Sequence, residues 1–310
     1  VSATRYTLRR LAELLLVFLG VTLLIYLAVF ALPGDPIAAL GGDRPLPASV
    51  QAALRVRYHL DEPVLQQYLR YLGGLLHGDL GQNFAGQSVA AKMAVRWPTT
   101  IALALTAWGI EIVVGVGLGL YAGLRPGRLG DRVVLAGTIL ATSIPVFVLA
   151  VSAQLLFGLH LGWFPVAGDD AGWPMAYLLP GAVIAVFGLA SVARLMRGSV
   201  AETMRSDHVR ALWAKGLTPR QVVGIHVLRS SAIPVTTFLA IDLGYLLGGT
   251  VVVEGVFNLP GVGNLLFQAI RAHEGPTVVG VATSLILVFL VVNVLVDLLH
   301  SVLDPRIRHV

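Results

Sequence analysis

The sequence predicts an all-α polytopic membrane protein: six transmembrane helices, a long external segment between the first and second, and a short cytoplasmic helical segment between the fourth and fifth. Three observations predict it. Hydrophobic residues fill 56% of the 310 positions and charged residues only 13%, and the mean hydropathy is +0.80, far from the balance of a soluble domain. Six stretches stay apolar for about 20 residues, the length that crosses a hydrocarbon core at about 1.5 Å per residue. Arginines gather beside the ends of these stretches, which sets membrane orientation rather than building a nucleic-acid surface, despite a net charge of +5.

In chain order the spans are predicted at Leu11–Leu32, Thr99–Leu124, Val133–Leu159, Tyr177–Leu195, Ile233–Val253 and Thr277–His300. The first follows Arg9 and Arg10 as a secretory signal would, but it is longer than such a signal's apolar region. It ends in Leu32-Pro33-Gly34-Asp35 with no small-x-small cleavage site, so an uncleaved anchor is expected. Pro33-Gly34-Asp35-Pro36 should break that helix at its outer end. The external segment 33–98 carries "VLQQYLRYLGGLLHGDLG", where Leu65, Tyr68, Leu69, Leu72, Leu75 and Leu76 recur at helical spacing. An amphipathic helix lying on the membrane face or on other spans is expected there, within a small ordered cap.

Orientation follows from the basic residues of the short links. Arg5, Arg9 and Arg10 precede the first span, and Arg125, Arg128 and Arg132 fill the second link. Seven basic residues from Arg194 to Arg229 flank or fill the fourth link, and Arg306 and Arg308 follow the sixth span. With six spans all of these fall on one side, so both termini are expected in the cytoplasm. Arg271 lies in a short segment of the opposite side. Arg44, Arg55, Arg57, Arg70, Lys92 and Arg96 lie in the long external segment, whose length makes them weak topological signals. The chain thus divides into 1–32, 33–98 as an extracytoplasmic cap, and 99–310 as a core with a cytoplasmic loop at 196–230.

Within the spans, Gly115, Gly119 and Gly123 recur every four residues, as do Gly244 and Gly248. Each set is expected to form a groove in which another helix backbone approaches closely. Glu111 and Asp242 are the ionisable groups placed deepest, so each should face the bundle interior or a wet cavity. Asp242 could line a translocation pathway or make a structural hydrogen bond; the sequence leaves both open.

No catalytic or metal-binding pattern accompanies them. His-Glu-x-x-His, Gly-x-Ser-x-Gly and the phosphate-binding Gly-x-x-x-x-Gly-Lys-Ser/Thr are all missing from the sequence. The eight histidines have no ligand spacing, and with no cysteine there is neither a disulfide nor a thiolate site.

The stretch "HVRALWAKGLTPRQ", His208 to Gln221, is a helix, a stop and a second start. Ser206 or Asp207 can cap the first helix, and Gly216 supplies a left-handed stop. Thr218-Pro219-Arg220-Gln221 reads as a capping box with proline at the first helical position. Val209, Leu212 and Trp213 are apolar side chains expected to be exposed in a cytoplasmic loop, which suggests a helix docking into a partner's groove. A DNA-reading helix-turn-helix is disfavoured because both ends are tethered to spans. A segment resting on lipid headgroups is the plainer alternative.

"DHVRALWAKGL" followed by "HVLRSSAIP" resembles the cytoplasmic Glu-Ala-Ala loop of ABC-importer permeases. The triplet falls on Arg210, Ala211 and Leu212, the glycine on Gly216 and the proline on Pro234; the acidic first position is replaced. "RYTLRR", "LPGDP", "YHLDEPVLQQYLRYL", "GDLG", "SIPVF", "LGWFP", "ARLMRGSV", "EGVFNLPGVGNLL" and "LDPRIR" are similar, from end to end, to the first (B-type) permease subunits of the dipeptide/oligopeptide/nickel family.

That resemblance implies a type I ABC-importer fold in a bacterial inner membrane. It implies a second, C-type permease as partner, two cytoplasmic ATPase subunits or domains that bind ATP and Mg, and an external solute-binding protein. This chain would then hold no cofactor and would not itself be an enzyme. Asp207 to Lys215 would be the coupling helix: Val209, Ala211, Leu212 and Trp213 would touch the ATPase, Arg210 and Lys215 would form the charged flank, and Gly216 the exit. The implied substrate class is short peptides; haem, nickel chelates and other small solutes are carried by related systems. A gated channel would not need a docking helix of this kind, an intramembrane enzyme using Glu111 and Asp242 would need a second catalytic partner that the sequence does not offer, and exporter spans are usually joined to their ATPase differently.

Overall fold

The computed structural model describes residues 3–31, 37 and 47–303. The expected break at 32–36, the closing "LDPRIR" after Leu303, and Arg44, Arg306 and Arg308 lie outside them. The described residues are helical throughout their regular structure, save one isolated bridge between Gln82 and Ser88. Two compact units result, Val1–Thr100 with Pro260–Val310, and Ile101–Leu259.

The first unit holds α1 (Ala3–Phe30), α2 (Ala48–Arg57), α3 (Val64–Leu75), α4 (Val89–Ala94), α11 (Val262–Arg271) and α12 (Gly275–Leu303). The start of α12 lies beside the end of α1, because a Cβ at Gly275 would stand 2.8 Å from Val29 Cγ1. The two helices therefore run antiparallel.

The cap segment docks on this pair through an aromatic cluster. Tyr26 and Tyr68 are buried edge-to-face with centroids 5.6 Å apart, a favourable quadrupole geometry. The Tyr68 hydroxyl lies 2.8 Å from Thr22 Oγ1 and donates to the Leu19 carbonyl at 3.0 Å. The amphipathic helix is therefore real, but its buried stripe is Val64, Tyr68, Tyr71 and Leu72. Leu65, Leu69 and Leu76, grouped with that stripe by spacing, are exposed. The two stripes share Tyr68 and Leu72; Val64 and Tyr71, rather than Leu65 and Leu69, complete the packed face. Upstream, Glu62 accepts two bonds from Arg70 at 2.8 and 3.0 Å. That guanidinium, first by its hydrogen bonds, holds the Glu62 carboxyl below the usual carboxylate range.

The second unit continues α5 (Trp97–Gly123) and holds α6 (Leu129–Ser143), α7 (Val146–His160), α8 (Met175–Thr203), α9 (Asp207–Ala214) and α10 (Pro219–Val256). The glycine spacing of α5 sets its packing. A Cβ at Gly115 would lie 2.8 Å from Val192 Cγ1, at Gly119 2.6 Å from the Ala193 carbonyl oxygen, and at Gly123 2.7 Å from Val200 Cβ. Contact numbers rise together on both helices, so α5 and α8 run parallel at backbone contact, as the small-residue rule expects. At the other glycine pair, a Cβ at Gly248 would meet nothing within 4 Å.

Parallel α5 and α8 require the chain between them to cross the membrane once in return. Residues 129–160 supply that crossing, not as the straight helix expected at Val133–Leu159 but as α6 and α7 bent by 99°. The cause is Pro145, which follows Ile144 in extended conformation (φ −93°, ψ 127°). A residue before proline avoids the helical region, and proline brings no amide hydrogen. Counting this bent pair as one span, the described residues hold six segments long and apolar enough to cross a membrane, five of them single helices. Several helices overrun the predicted limits: α8 continues to Thr203 and α10 begins at Pro219. The buried core of this unit includes Leu103, Ala107, Val183, Ala185 and Phe257 around α8, with a second cluster of Val192, Met196 and Val200 nearer its end.

Candidate functional site: a braced short helix

Between α8 and α10 the backbone is held by local chemistry at every turn. Ser206 sits at the N-cap of α9 in extended conformation, but its hydroxyl donates back to the Thr203 carbonyl at 2.7 Å, so it makes no side-chain cap. The other end closes as a Schellman motif: Gly216 N donates to Trp213 O at 3.0 Å and Leu217 N to Leu212 O at 3.3 Å. The reversal puts Gly216 at φ +79°, a left-handed conformation that costs a β-carbon residue free energy. Thr218 then starts α10 with the full capping box. Its backbone N–H donates to Gln221 Oε1 at 3.0 Å, its hydroxyl accepts from Gln221 N at 3.4 Å, and Pro219 is the first helical residue.

Burial divides the faces of α9. Val209 is completely buried against Val200, Val222 and Val227, and Leu212 packs on the same cluster with Leu217. This corrects the expectation that Val209 reaches outward: it anchors the helix to its own chain, and half-buried Leu212 packs on the same cluster. Three apolar anchors at spacing 209, 212 and 217 are what a short helix needs to hold still on a larger one. The outer face is left to His208, Arg210, Ala211, Trp213, Ala214 and Lys215, all exposed, with Trp213 39% accessible. Arg210 and Asp207 pair at 3.1 Å with both side chains largely in solvent, an arrangement of little energetic weight.

A second brace escaped the sequence reading. Arg197, on α8, places Nε 2.9 Å and Nη2 2.8 Å from the two carboxylate oxygens of Asp131 on α6, while Gly127 N donates to Asp131 Oδ2 at 2.7 Å. Asp131 is 2% exposed. This is the bidentate fork that arginine, not lysine, makes with a carboxylate. It joins the start of α6 to the end of α8, next to α9. The signal available in the sequence was an aspartate in the first turn of a span within an arginine-rich link; counted as topological charges, such arginines lose their individual geometry. Ser231 adds a hydrogen bond from α10 to Thr203 at 3.1 Å.

Glu111 and Asp242 meet. Glu111 is fully buried at the start of a π-turn, Glu111–Gly115, and Asp242 on α10 is its neighbouring acid. One turn away on the same pair of helices, Trp108 Nε1 donates to the Leu239 carbonyl at 3.0 Å.

Among the described residues no group of three or more His, Asp or Glu could hold a metal ion. The arrangement is mechanical, a short helix with one face anchored and one face free, braced to three spans.

Comparison with known proteins agrees with this geometry. The family described as binding-protein-dependent transport system inner membrane component matches residues 115–309, and its N-terminal counterpart matches residues 3–104. A Brucella abortus protein named for a peptide transport system permease is 38% identical, with 99% of both chains covered. The di/tripeptide transport system permease DppB of Pseudomonas aeruginosa is 34% identical over 97% of this chain and 98% of its own. The dipeptide transport system permease DppB of Escherichia coli K12 is 31% identical over 98% and 99%. Among solved structures, a chain of the inward-facing MetNI methionine ABC transporter shares the fold at a TM-score of 0.50 and 20% identity, covering 66% of this chain and 94% of its own. The chain therefore belongs to the binding-protein-dependent transport system inner membrane component family, the multi-pass permeases of ABC importers.

Proposed function

We propose that this permease carries short peptides across a bacterial inner membrane, as one half of a pathway completed by a second, C-type permease. Two cytoplasmic ATPase subunits or domains bind the ATP and Mg that power it, and an external solute-binding protein delivers the peptide. The chain itself holds no cofactor and is not an enzyme. Both termini face the cytoplasm, with the cap at 33–98 on the outside, where it helps receive the binding protein.

The observation that carries the reading is α9: a helix whose inner face is spent on its own chain and whose outer face, centred on Trp213 and Ala211, is free and rigidly presented. A rigid lever is what coupling requires, since the ATPases' closure must move the spans between two packings rather than bend a loop. Asp207, Arg210, Lys215 and Gly216 take the flanking and exit roles, while Val209 and Leu212 act from within by fixing the lever. Of the two mid-span acids, partly exposed Asp242 is the one placed to reach a pathway; Glu111 is enclosed. Two substitutions on α9 test the reading. Trp213→Asp should abolish copurification of the ATPases while the second permease is retained, and Arg220→Asp, beyond the docking face, should leave both. Retention of the ATPases by the Trp213 variant would refute the docking role.

A further inference from the structure

Glu111 lies midway along α5, with 0% of its surface exposed. Among the described residues no donor reaches its Oε1 or Oε2, nor Oδ2 of Asp242. Its place is made by Gly188 of α8, where any β-carbon would overlap the Glu111 carboxyl. The π-turn that begins at Glu111 sets this side chain off from the regular face of α5; such insertions cluster where a helix serves a function. On the other side stands Asp242 of α10.

Two ionised carboxyls cannot share such a place. Each alone is costly to bury at a span centre without a partner, and adjacent like charges add repulsion in a low dielectric. The neighbouring helices bring no compensating cation. α8 presents Gly188, and its Arg194, Arg197 and Glu202 lie further along the helix, with Arg197 taken by Asp131. α10 contributes Asp242, with Tyr245 beyond it and Arg229 several turns away; α5 itself has no other Asp, Glu, Lys or Arg after Trp97. Asp242 is the ionisable side chain that meets Glu111. Both acids are acceptors only when ionised, whereas one proton turns either of them into a donor to the other.

We infer that Glu111 and Asp242 form a proton-binding site, an acid–carboxylate pair that holds at least one proton at neutral pH and ties α5 to α10 at mid-membrane. The ligand is a proton taken from water and returned to it when the two helices part. The site lies beside the Trp108–Leu239 link, so a packing that separates α5 from α10 exposes the pair and lets the proton go. The inference goes beyond peptide transport and needs neither the substrate nor the ATPase assignment, only the buried mid-span position.

The test is infrared spectroscopy of the assembled importer in lipid nanodiscs, with the carboxyl carbons of Asp and Glu labelled with carbon-13. At neutral pH a protonated-carboxyl C=O band should appear that shifts with the label and with deuterium oxide, and that is lost or displaced in both Glu111→Gln and Asp242→Asn. Raising the pH should convert it to carboxylate absorption in the wild type. A wild-type spectrum with only carboxylate bands, or a protonated band untouched in either variant that assembles, would overturn the inference. Copurification of the partners reads the transport assignment separately, so failure of one does not disguise failure of the other.

Discussion

Gly216 and Arg197 are the single residues on which the architecture around α9 depends most. Gly216 at φ +79° admits no β-branched side chain without strain, at a cost of about 1–2 kcal/mol, while its surroundings are open enough that bulk alone is no obstacle. Gly216→Val should therefore insert and assemble normally but lose most ATP-driven uptake, measured in proteoliposomes; Gly216→Asn, which tolerates the left-handed region, should keep most of it. Removal of Arg197 strands the buried Asp131 carboxylate with one backbone donor, at a cost of about 3 kcal/mol. Arg197→Ala should lower the thermal unfolding midpoint in detergent, and Arg197→Lys should recover only part of the loss because it cannot make the fork. The two residues differ in legibility. A glycine between a helix pattern and a Thr-Pro start declares its conformation locally, whereas the Arg197–Asp131 pair joins residues 66 apart, and no local signal says which arginine of a basic link will be the partner.

Among the elements, α5 and α8 give the clearest example of sequence fixing a contact. The four-residue glycine period announced a face for close approach, and that face is where α8 lies. A sharp prediction follows from the neighbouring positions: Gly119→Leu must displace the Ala193 carbonyl and Met196 and should abolish accumulation in the membrane, whereas Gly117→Leu, with nothing within 4 Å, should accumulate at wild-type levels by immunoblot. The same period at Gly244 and Gly248 carried no such contact at Gly248, because spacing gives a groove but not an occupant. α7 failed differently. Apolar composition across residues 133–159 hides Pro145, whose effect depends on whether the following residues can start a new helix; Val146 onward can, so the span bends rather than kinks. On α9 the helix, its stop and its restart were all legible, but the division of its apolar residues into anchors and free face was not. Val209 and Trp213 are equally apolar in a sequence and opposite in burial.

For the molecule's second unit, the parallel packing of α5 on α8 requires an odd number of crossings between them, and the bent pair of α6 and α7 supplies one. Since the chain contains no cysteine, single cysteines introduced at Gly127 and Lys215 should be labelled by an impermeant maleimide only in inside-out vesicles, and one at Asp169 only in right-side-out cells. Labelling of Gly127 and Asp169 from the same side would show the bent pair to be a re-entrant hairpin. The class of the molecule was readable because composition, span length and arginine placement each report on the membrane independently. What the spans do to one another was not, because uniformly apolar surfaces differ only in shape, and shape is decided by neighbours.

The central claim is that α9 hands the motion of a nucleotide-driven motor to the spans. Its most direct test places a photo-crosslinking amino acid at Trp213 in the intact importer within native membranes. The account predicts a crosslinked product between this chain and an ATPase subunit, which weakens or shifts when ATP is bound. Crosslinks to lipid alone, or none to an ATPase in an importer that transports normally, would contradict it.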